Sequence, residues 1–244
     1  MNEDELMSHQ SFDLLIGDMD SVVYRACCAC DADSPDTHAF HNLKNIVDKM
    51  LDVVRPEAFV FYLSGDKNYR YDIATIRPYK GNRKQPKPAW FYETREYLMN
   101  NWGAEVTDGI EADDACAIEQ TKSLDNGETS VIASIDKDLL QVPGWNFNYT
   151  TNHFKYVTEL DGWYNFYRQM LIGDNVDNIE GVKGVGKKNA ERILKGAQSK
   201  SDLHQRVENE YKRVYGSDWD RVMLENGRLL YLQRKEGDVW NLCL

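Results

Sequence analysis

Nine carboxylates hold most of the chemistry open to this chain: Asp18, Asp66, Glu111, Asp113, Asp114, Asp136, Asp138, Asp174 and Asp177. Most fall in tight groups: Glu-Ala-Asp-Asp at 111–114, Asp-Lys-Asp at 136–138 and Asp-Asn-Val-Asp at 174–177. Converging carboxylates repel one another and need cations to be stable together. Oxygen donors without a histidine or cysteine among them select Mg²⁺, with Mn²⁺ as a substitute, over zinc. An EF-hand is excluded, since no Asp-x-Asp-x-Asp-Gly loop closes on a glutamate. A glycosidase-type acid pair needs only two carboxylates. Many acids beside basic segments suit phosphate chemistry at two metal ions about 3.5–4 Å apart. Taken singly, each aspartate reads as a helix or turn cap, Asp113 and Asp174 above all. The set reads differently, because its members recur at strand tips and glycine-bounded turns.

The hydrophobic pattern supplies a scaffold for these acids. The apolar run at 13–17 predicts a buried strand with Asp18 at its tip, followed by a helix over 21–30. Phe40, Leu43, Val47, Met50, Leu51 and Val54 recur at helical spacing, and Arg55-Pro56 ends that helix. A second buried strand covers 58–63, with Gly65-Asp66 just beyond it. The basic, proline-containing stretch to Pro88 reads as a loop or mobile arm, and a helix follows over 90–100. Another helix starts near Ala112, a third strand covers 129–135, and 161–172 reads as helical. Glycines at 181, 184 and 186 precede a helix, and the rest, to about Gln233, is mostly helical. Alternating strands and helices predict an α/β fold, a mostly parallel central sheet flanked by helices. Sites in such sheets form at the carboxyl ends of the strands.

Bulk properties narrow the function further. The 244 residues carry a net charge of −11, which by itself disfavours a nucleic-acid partner. The distribution reverses that reading. Between 67 and 88 lie seven basic residues (Lys67, Arg70, Arg77, Lys80, Arg83, Lys84 and Lys87) against the single acid Asp72. Between 183 and 195 lie five (Lys183, Lys187, Lys188, Arg192 and Lys195) against Glu191. Five cysteines, three of them crowded at Cys27, Cys28 and Cys30, form no disulfide framework and point to a reducing cytoplasm. Cys28, Cys30, His38 and His41 match no common zinc template. No apolar run is long enough to span a membrane, and residues 1–10 read as a frayed leader, not a secretory signal.

Three segments occur in a telling order: Gly109 to Asp114 (GIEADD), Ser134 to Gln141 (SIDKDLLQ) and Gly173 to Lys188 (GDNVDNIEGVKGVGKK). Together they resemble the signature of the 5′-nuclease family, which includes flap endonucleases, the 5′-nuclease domain of DNA polymerase I and phage 5′→3′ exonucleases. Asp18 to Ala26 (DMDSVVYRA) resembles its N-terminal segment and Tyr79 to Arg83 (YKGNR) its basic arm. The tail at 226–234 and the short span from Tyr79 to Glu111 look most like the phage members. Two positions depart from the family: Met19 stands where glycine is usual, and Glu180 where proline is.

The resemblance implies a PIN-like core over 1–172 that includes the basic arm 67–100. A helix–hairpin–helix and C-terminal helical region over 173–244 would pack as one unit with it. Asp18, Asp66, Glu111 and Asp113 resemble the ligands of one Mg²⁺. Asp136, Asp138 and Asp174 resemble those of a second, with Asp113 between them and Asp114 and Asp177 acting through water. Asp20 is an extra acid that reads as a helix cap. Lys80 and Arg83 would donate to the scissile phosphate, Tyr24 would stack on a terminal base, and Arg25, Arg70 and Lys84 would contact DNA. Gly181, Lys183, Gly184, Gly186, Lys187 and Lys188 would form the duplex-binding hairpin, with K⁺ bound there as in relatives. No Walker A loop is present.

The expected reaction is 5′→3′ exonuclease or flap-type endonuclease hydrolysis of DNA, or of RNA primers in RNA–DNA hybrid. It would leave 5′-phosphate and 3′-hydroxyl ends, and the enzyme would be a monomer in the cytoplasm, the host's if phage-encoded. The competing readings are a catalytically silent DNA-binding module and a related small ribonuclease.

Overall fold

The computed structural model describes residues 11–31 and 33–242; the leader at 1–10 and Cys243 lie outside them. Six strands form the central sheet: β1 (Leu14–Asp18), β2 (Ala58–Leu63), β3 (Glu105–Val106), β4 (Ser130–Ala133), β5 (Gly144–Asn148) and β6 (His153–Val157). Their order is β3-β2-β1-β4-β5-β6, with every pair parallel except β5–β6. The strand β1 is central and covered on both faces, which is why its apolar residues run consecutively. Leu15, with Val131 and Ala133 of β4, faces one core; Ile16 and Ile132 face the other. This is the two-residue alternation of a pleated strand.

The first core takes the helices α1 (Asp20–Cys28), α2 (Asp36–Val54) and, after the short α3 (Arg70–Ile73), α4 (Phe91–Trp102). The helix α2 ends as its sequence predicts, with Arg55 in the left-handed conformation (φ 51°) ahead of Pro56. The helix α5 (Ala112–Asp125) lays Cys116 and Ala117 on the opposite sheet face. A separate apolar cluster joins α6 (Glu159–Ile172), α7 (Lys187–Leu194), α8 (Lys200–Tyr215) and α9 (Trp219–Leu230) around Tyr167, Met170, Leu203, Tyr211 and Met223. No described helix is long and apolar enough to cross a membrane.

The sheet register sets the site. Asp18 lies level with Tyr62 of β2, and Gly17 with Ala133 of β4. The segments leaving β1, β2 and β4 therefore emerge side by side at one end. Two expectations change. The sheet has six strands where the apolar runs predict three, and the antiparallel β5–β6 hairpin has no counterpart in the sequence reading. The basic arm contains a helical turn, α3, before it runs on through turns to Trp90.

Candidate active site

Asp18 closes β1 and is buried. Its Oδ2 accepts from Ser134 Oγ at 3.0 Å and its Oδ1 from the Asp20 amide at 3.3 Å. Burial, then the nearby charges of Asp20 and Asp136, push its carboxyl up to about 7. Asp136 follows β4 and caps the 3₁₀ turn Lys137–Gln141, accepting from the Asp138 amide at 2.9 Å. Asp138 is pushed up to about 7 by burial, then by Asp136 and Asp174. Asp174, buried in the two-residue strand β7 (Gly173–Asp174), accepts from the amides of Val176 and Asp177 at 2.7 and 3.3 Å. That strand pairs with β8 (Ile179–Glu180). The approach needs glycine: a Cβ on Gly173 (φ 71°) would lie 2.3 Å from the Gly181 nitrogen.

Glu111 caps α5, and its group sits against the arm. The Tyr79 hydroxyl lies 2.6 Å from Glu111 Oε2 and 2.9 Å from Asp177 Oδ2. Lys80 pairs with Glu111, and Arg83 lies 2.5 Å from Asp177. Burial would raise Glu111, but Lys80 and Arg70 outweigh it and hold the carboxyl below its ordinary range. Asp113, the next acid on α5, is driven well up by burial and by Asp114 and Glu111. Asp66, exposed past the tip of β2, faces the cleft that also holds Lys80 and Glu111.

Three expected roles are corrected. Arg70, expected to meet DNA, is 1% exposed and the largest fully buried side chain. Its guanidinium pairs with both oxygens of Asp114 and donates to the carbonyls of Leu229 and Tyr231, each at 2.9 Å. Asp114, expected to act on metal through water, is 0% exposed. It is saturated by Arg70, the Gln233 amide at 3.0 Å and the Glu111 amide at 3.2 Å, so it joins α5 to the C-terminal segment instead. Asp20, expected to cap a helix, is instead the first residue of α1, with Met19 at the cap position; it pairs with Arg95 at 2.9 Å and accepts from the Ser64 amide at 3.1 Å.

A cleft of about 500 Å³ opens beside Glu111 and Asp66. Lys80, Arg83, Lys87 and Arg95 line it, with Tyr24, Tyr71 and Tyr92. Of these, Tyr71, Tyr92 and Arg95 carry no sequence expectation, and Lys87 enters the sequence reading only as part of the basic segment. Tyr71 and Tyr92 are 51% and 68% exposed, the freest rings in the cleft. Tyr24 is more committed: Lys87 Nζ lies 5.0 Å from its ring centre and Phe91 meets it edge-on at 5.1 Å. Arg25 and Lys84 are exposed. Away from the cleft, Val185 bonds back to Val182 to form a tight turn, with Gly181 buried at its base and Gly184 at φ 81°. Lys183, Gly186, Lys187 and Lys188 are exposed around that turn and the start of α7.

No protein-family model matches the chain. Among curated proteins it is similar to DNA polymerase I of Caldicellulosiruptor bescii, 26% identical over 219 residues, 80% of this chain and 26% of that one. It is also similar to the 5′-3′ exonuclease of Mycoplasmopsis pulmonis, 27% identical over 179 residues, 66% of this chain and 58% of the other. Among solved structures, the zinc-bound 5′-exonuclease of T5 superposes with TM-score 0.69 at 17% identity, covering 89% of this chain and 88% of that one. The chain shares the fold of that exonuclease. The catalytic core of Rad2, solved with DNA substrate, shares the fold more distantly, with TM-score 0.53 and 14% identity over 95% of this chain and 83% of that core. The chain spans about a quarter of the polymerase's length and under two thirds of the exonuclease's.

The fit of the donor set to a metal is the deciding chemistry. Among the described residues, Asp18, Asp66, Asp113, Asp136 and Asp138 have no Lys, Arg or His partner within 4.0 Å. Crowded carboxylates that lack a counter-charge, Asp18 and Asp138 raised toward neutrality, suit hard divalent cations. As they stand, no three His, Cys, Asp or Glu side chains among the described residues are drawn together around one point. The same holds for the cysteines. Cys27 is buried against Thr94 and Cys28 is exposed.

Proposed function

We propose that this chain is a divalent-metal-dependent 5′ nuclease. It would hydrolyse DNA phosphodiesters from a 5′ end or flap, with RNA–DNA hybrid as a further substrate, leaving 5′-phosphate and 3′-hydroxyl. One observation carries the reading: Asp66 past β2 and Glu111 at the start of α5 line a cleft walled by Lys80, Arg83, Lys87 and Arg95, at the sheet end where the segments after β1 and β4 bring Asp18 and Asp136. Asp18, Asp66, Glu111 and Asp113 would hold one Mg²⁺, and Asp136, Asp138 and Asp174 a second, with Asp113 between. Asp177, which holds Arg83 and the Tyr79 hydroxyl, would act on the ions through water.

When bound, the ions would lower the pKa of water and neutralise charge on the departing oxygen. The chain's own groups orient the phosphate. Lys80 and Arg83 stand on the cleft side of the acids, where donors favour charge that builds on phosphate oxygens in the transition state. Tyr79 holds Glu111 and Asp177 at fixed spacing and so sets where Lys80 and Arg83 can reach. Tyr71, Tyr92 and Tyr24 offer ring faces to unpaired bases. The turn at 182–185, flanked by Lys183, Lys187 and Lys188, would hold duplex phosphates in helix–hairpin–helix fashion, with K⁺ among its carbonyls. The protein would act as a monomer.

The test compares a 5′-labelled duplex and a 5′-flap substrate, each with Mg²⁺ and with EDTA, using wild-type protein and Asp136→Asn. Mg²⁺-dependent 5′ products from wild-type alone are expected, with DNA binding kept by the variant. No cleavage by clean wild-type protein would overturn the enzyme reading in favour of a silent DNA-binding module. Product lengths from the two substrates separate exonuclease from flap activity.

A further inference from the structure

We infer that Gln169 and Gln141 form a buried amide relay that positions Asp138 and is anchored on the C-terminal segment. The inference rests on the reading of Asp138 as a metal ligand. Asp138 Oδ1 accepts from Gln169 Nε2 at 2.5 Å. Gln169 Oε1 accepts from Gln141 Nε2 at 2.7 Å, and the same nitrogen donates to the Leu230 carbonyl at 2.9 Å. Both glutamines are buried, 6% and 2% exposed.

The relay has one polarity. Among the described residues, Gln141 Oε1 has no hydrogen-bond partner. Turning that amide over would set its oxygen against both the Leu230 carbonyl and Gln169 Oε1. Turning Gln169 over would set oxygen against the Asp138 carboxylate. Each amide is therefore fixed by its neighbour, and the chain ends in an N–H donor aimed at Asp138.

The turn that carries Asp138 is gripped from two sides. Gly162, Asn165 and Gln169 follow one another at spacings of three and four, one face of α6. A Cβ at Gly162 would lie 2.4 Å from the Gln141 carbonyl oxygen, so glycine there lets the helix close on the turn. Asn165 donates to the Leu140 carbonyl at 2.8 Å. From the other side, Arg234 Nη2 donates to the Gln141 carbonyl at 2.9 Å. The C-terminal segment thus reaches both acid groups, Asp114 through the Gln233 amide and Asp138 through Leu230 and the glutamines.

A neutral donor suits this task. It fixes the carboxylate's rotation and leaves Oδ2 for an ion, without supplying a positive charge that competes with the cation. Partners that orient metal-ligating groups are typically worth about 10- to 100-fold in affinity.

The experiment counts Mn²⁺ bound to DNA-free protein by electron paramagnetic resonance, for wild-type, Gln169→Met, Gln141→Met and the double variant. Methionine keeps length and removes the amide. One of two Mn²⁺ ions is expected to bind about 10-fold or more weakly in Gln169→Met, with the other unchanged, a selectivity that general loosening of the fold would not give. The double variant is expected to match Gln169→Met, because a relay is broken once. Unchanged Mn²⁺ binding in Gln169→Met, beside a wild-type protein that binds two ions, would overturn the relay and leave the metal site intact. Wild-type protein that binds no Mn²⁺ would overturn the metal reading and the relay with it. Gln169→Asn, which withdraws the amide by one methylene, serves if the methionine variant does not fold, and unchanged affinity there counts equally against the relay.

Discussion

Replacing Asp114 by alanine is expected to destabilise the protein strongly, through Arg70. The carboxylate is fully buried and accepts four hydrogen bonds: two from the Arg70 guanidinium and one each from the amides of Gln233 and Glu111. Without it, a cation 1% exposed keeps the Leu229 and Tyr231 carbonyls and one Glu111 oxygen at 3.5 Å, and two backbone donors lose their acceptor. Removing one partner of a buried ion pair costs about 3–5 kcal/mol, and each orphaned buried donor about 1–3 kcal/mol. Some relaxation overlaps these terms, so a loss of about 4 kcal/mol is expected, close to 10³-fold in the folding equilibrium constant. That is a large part of a typical stability of about 5–15 kcal/mol. Urea unfolding followed by tryptophan fluorescence reads it directly. The double variant Arg70→Met/Asp114→Leu removes both charges and should recover most of the loss. A loss below about 1 kcal/mol for Asp114→Ala, or a double variant as unstable as the two singles summed, would refute this reasoning. Weakened DNA binding by Arg70→Met at unchanged stability would restore the surface role expected from sequence.

Asp18→Asn should be more stable than wild-type in EDTA at pH 8. Asp18 rises from 3.8 to about 7 on folding, so its stabilising contribution is fully present below pH 3.8 and is lost as pH rises through about 7. The advantage of Asn, at most about 4 kcal/mol from a shift of about three units, should vanish toward pH 4, and a pH-independent difference in urea midpoint would refute the assignment. Lys80→Met and Arg83→Met should each lower single-turnover cleavage by about 10²–10³-fold while the duplex Kd moves little; an equal loss in binding would make them anchoring groups instead. Tyr92→Ala should weaken binding of a 5′ overhang by about 1–3 kcal/mol, measured by fluorescence anisotropy, and Tyr24→Ala by less because Lys87 and Phe91 already cover that ring; the reverse order would refute the ranking.

Legibility in the sequence followed burial pattern closely. The strands β1 and β4 announce themselves as apolar runs because both of their faces are covered, and β2 does so although its first half is exposed; Asp18, Asp66 and Asp136 then fall at or past their tips by counting. The β5–β6 hairpin stayed hidden because Gly144–Asn148 and His153–Val157 mix aromatic residues with asparagine, lysine and histidine at a sheet edge. Arg70 was misjudged because a basic residue in a basic run looks solvated; only its pairing with a residue 44 positions away buries it. Asp114 failed for the same reason, since a signature motif does not say which of its acids turns inward. Tyr92 carries no signal in the sequence: it begins a helix among charged residues, and only the cleft opposite gives its ring a purpose. The glutamine of SIDKDLLQ was visible in the motif, but its partner Gln169 lies 28 residues on and is brought to it by α6.

The arm between Pro78 and Trp90 belongs to no sheet ladder, yet its first half is tied down. Lys80 bonds to the Asp177 carbonyl, and the Asn178 side chain to that of Pro78. From Lys84 to Lys87 every residue is exposed. Such a design separates two kinds of inheritance. Length can be gained or lost at 84–87 without moving a single carboxylate, because insertions at exposed tips leave buried neighbours in place. A lineage could therefore try new substrates by editing this one stretch while its chemistry stays constant. In the laboratory, the same stretch is where a longer bridge would be grafted to turn an open cleft into a passage.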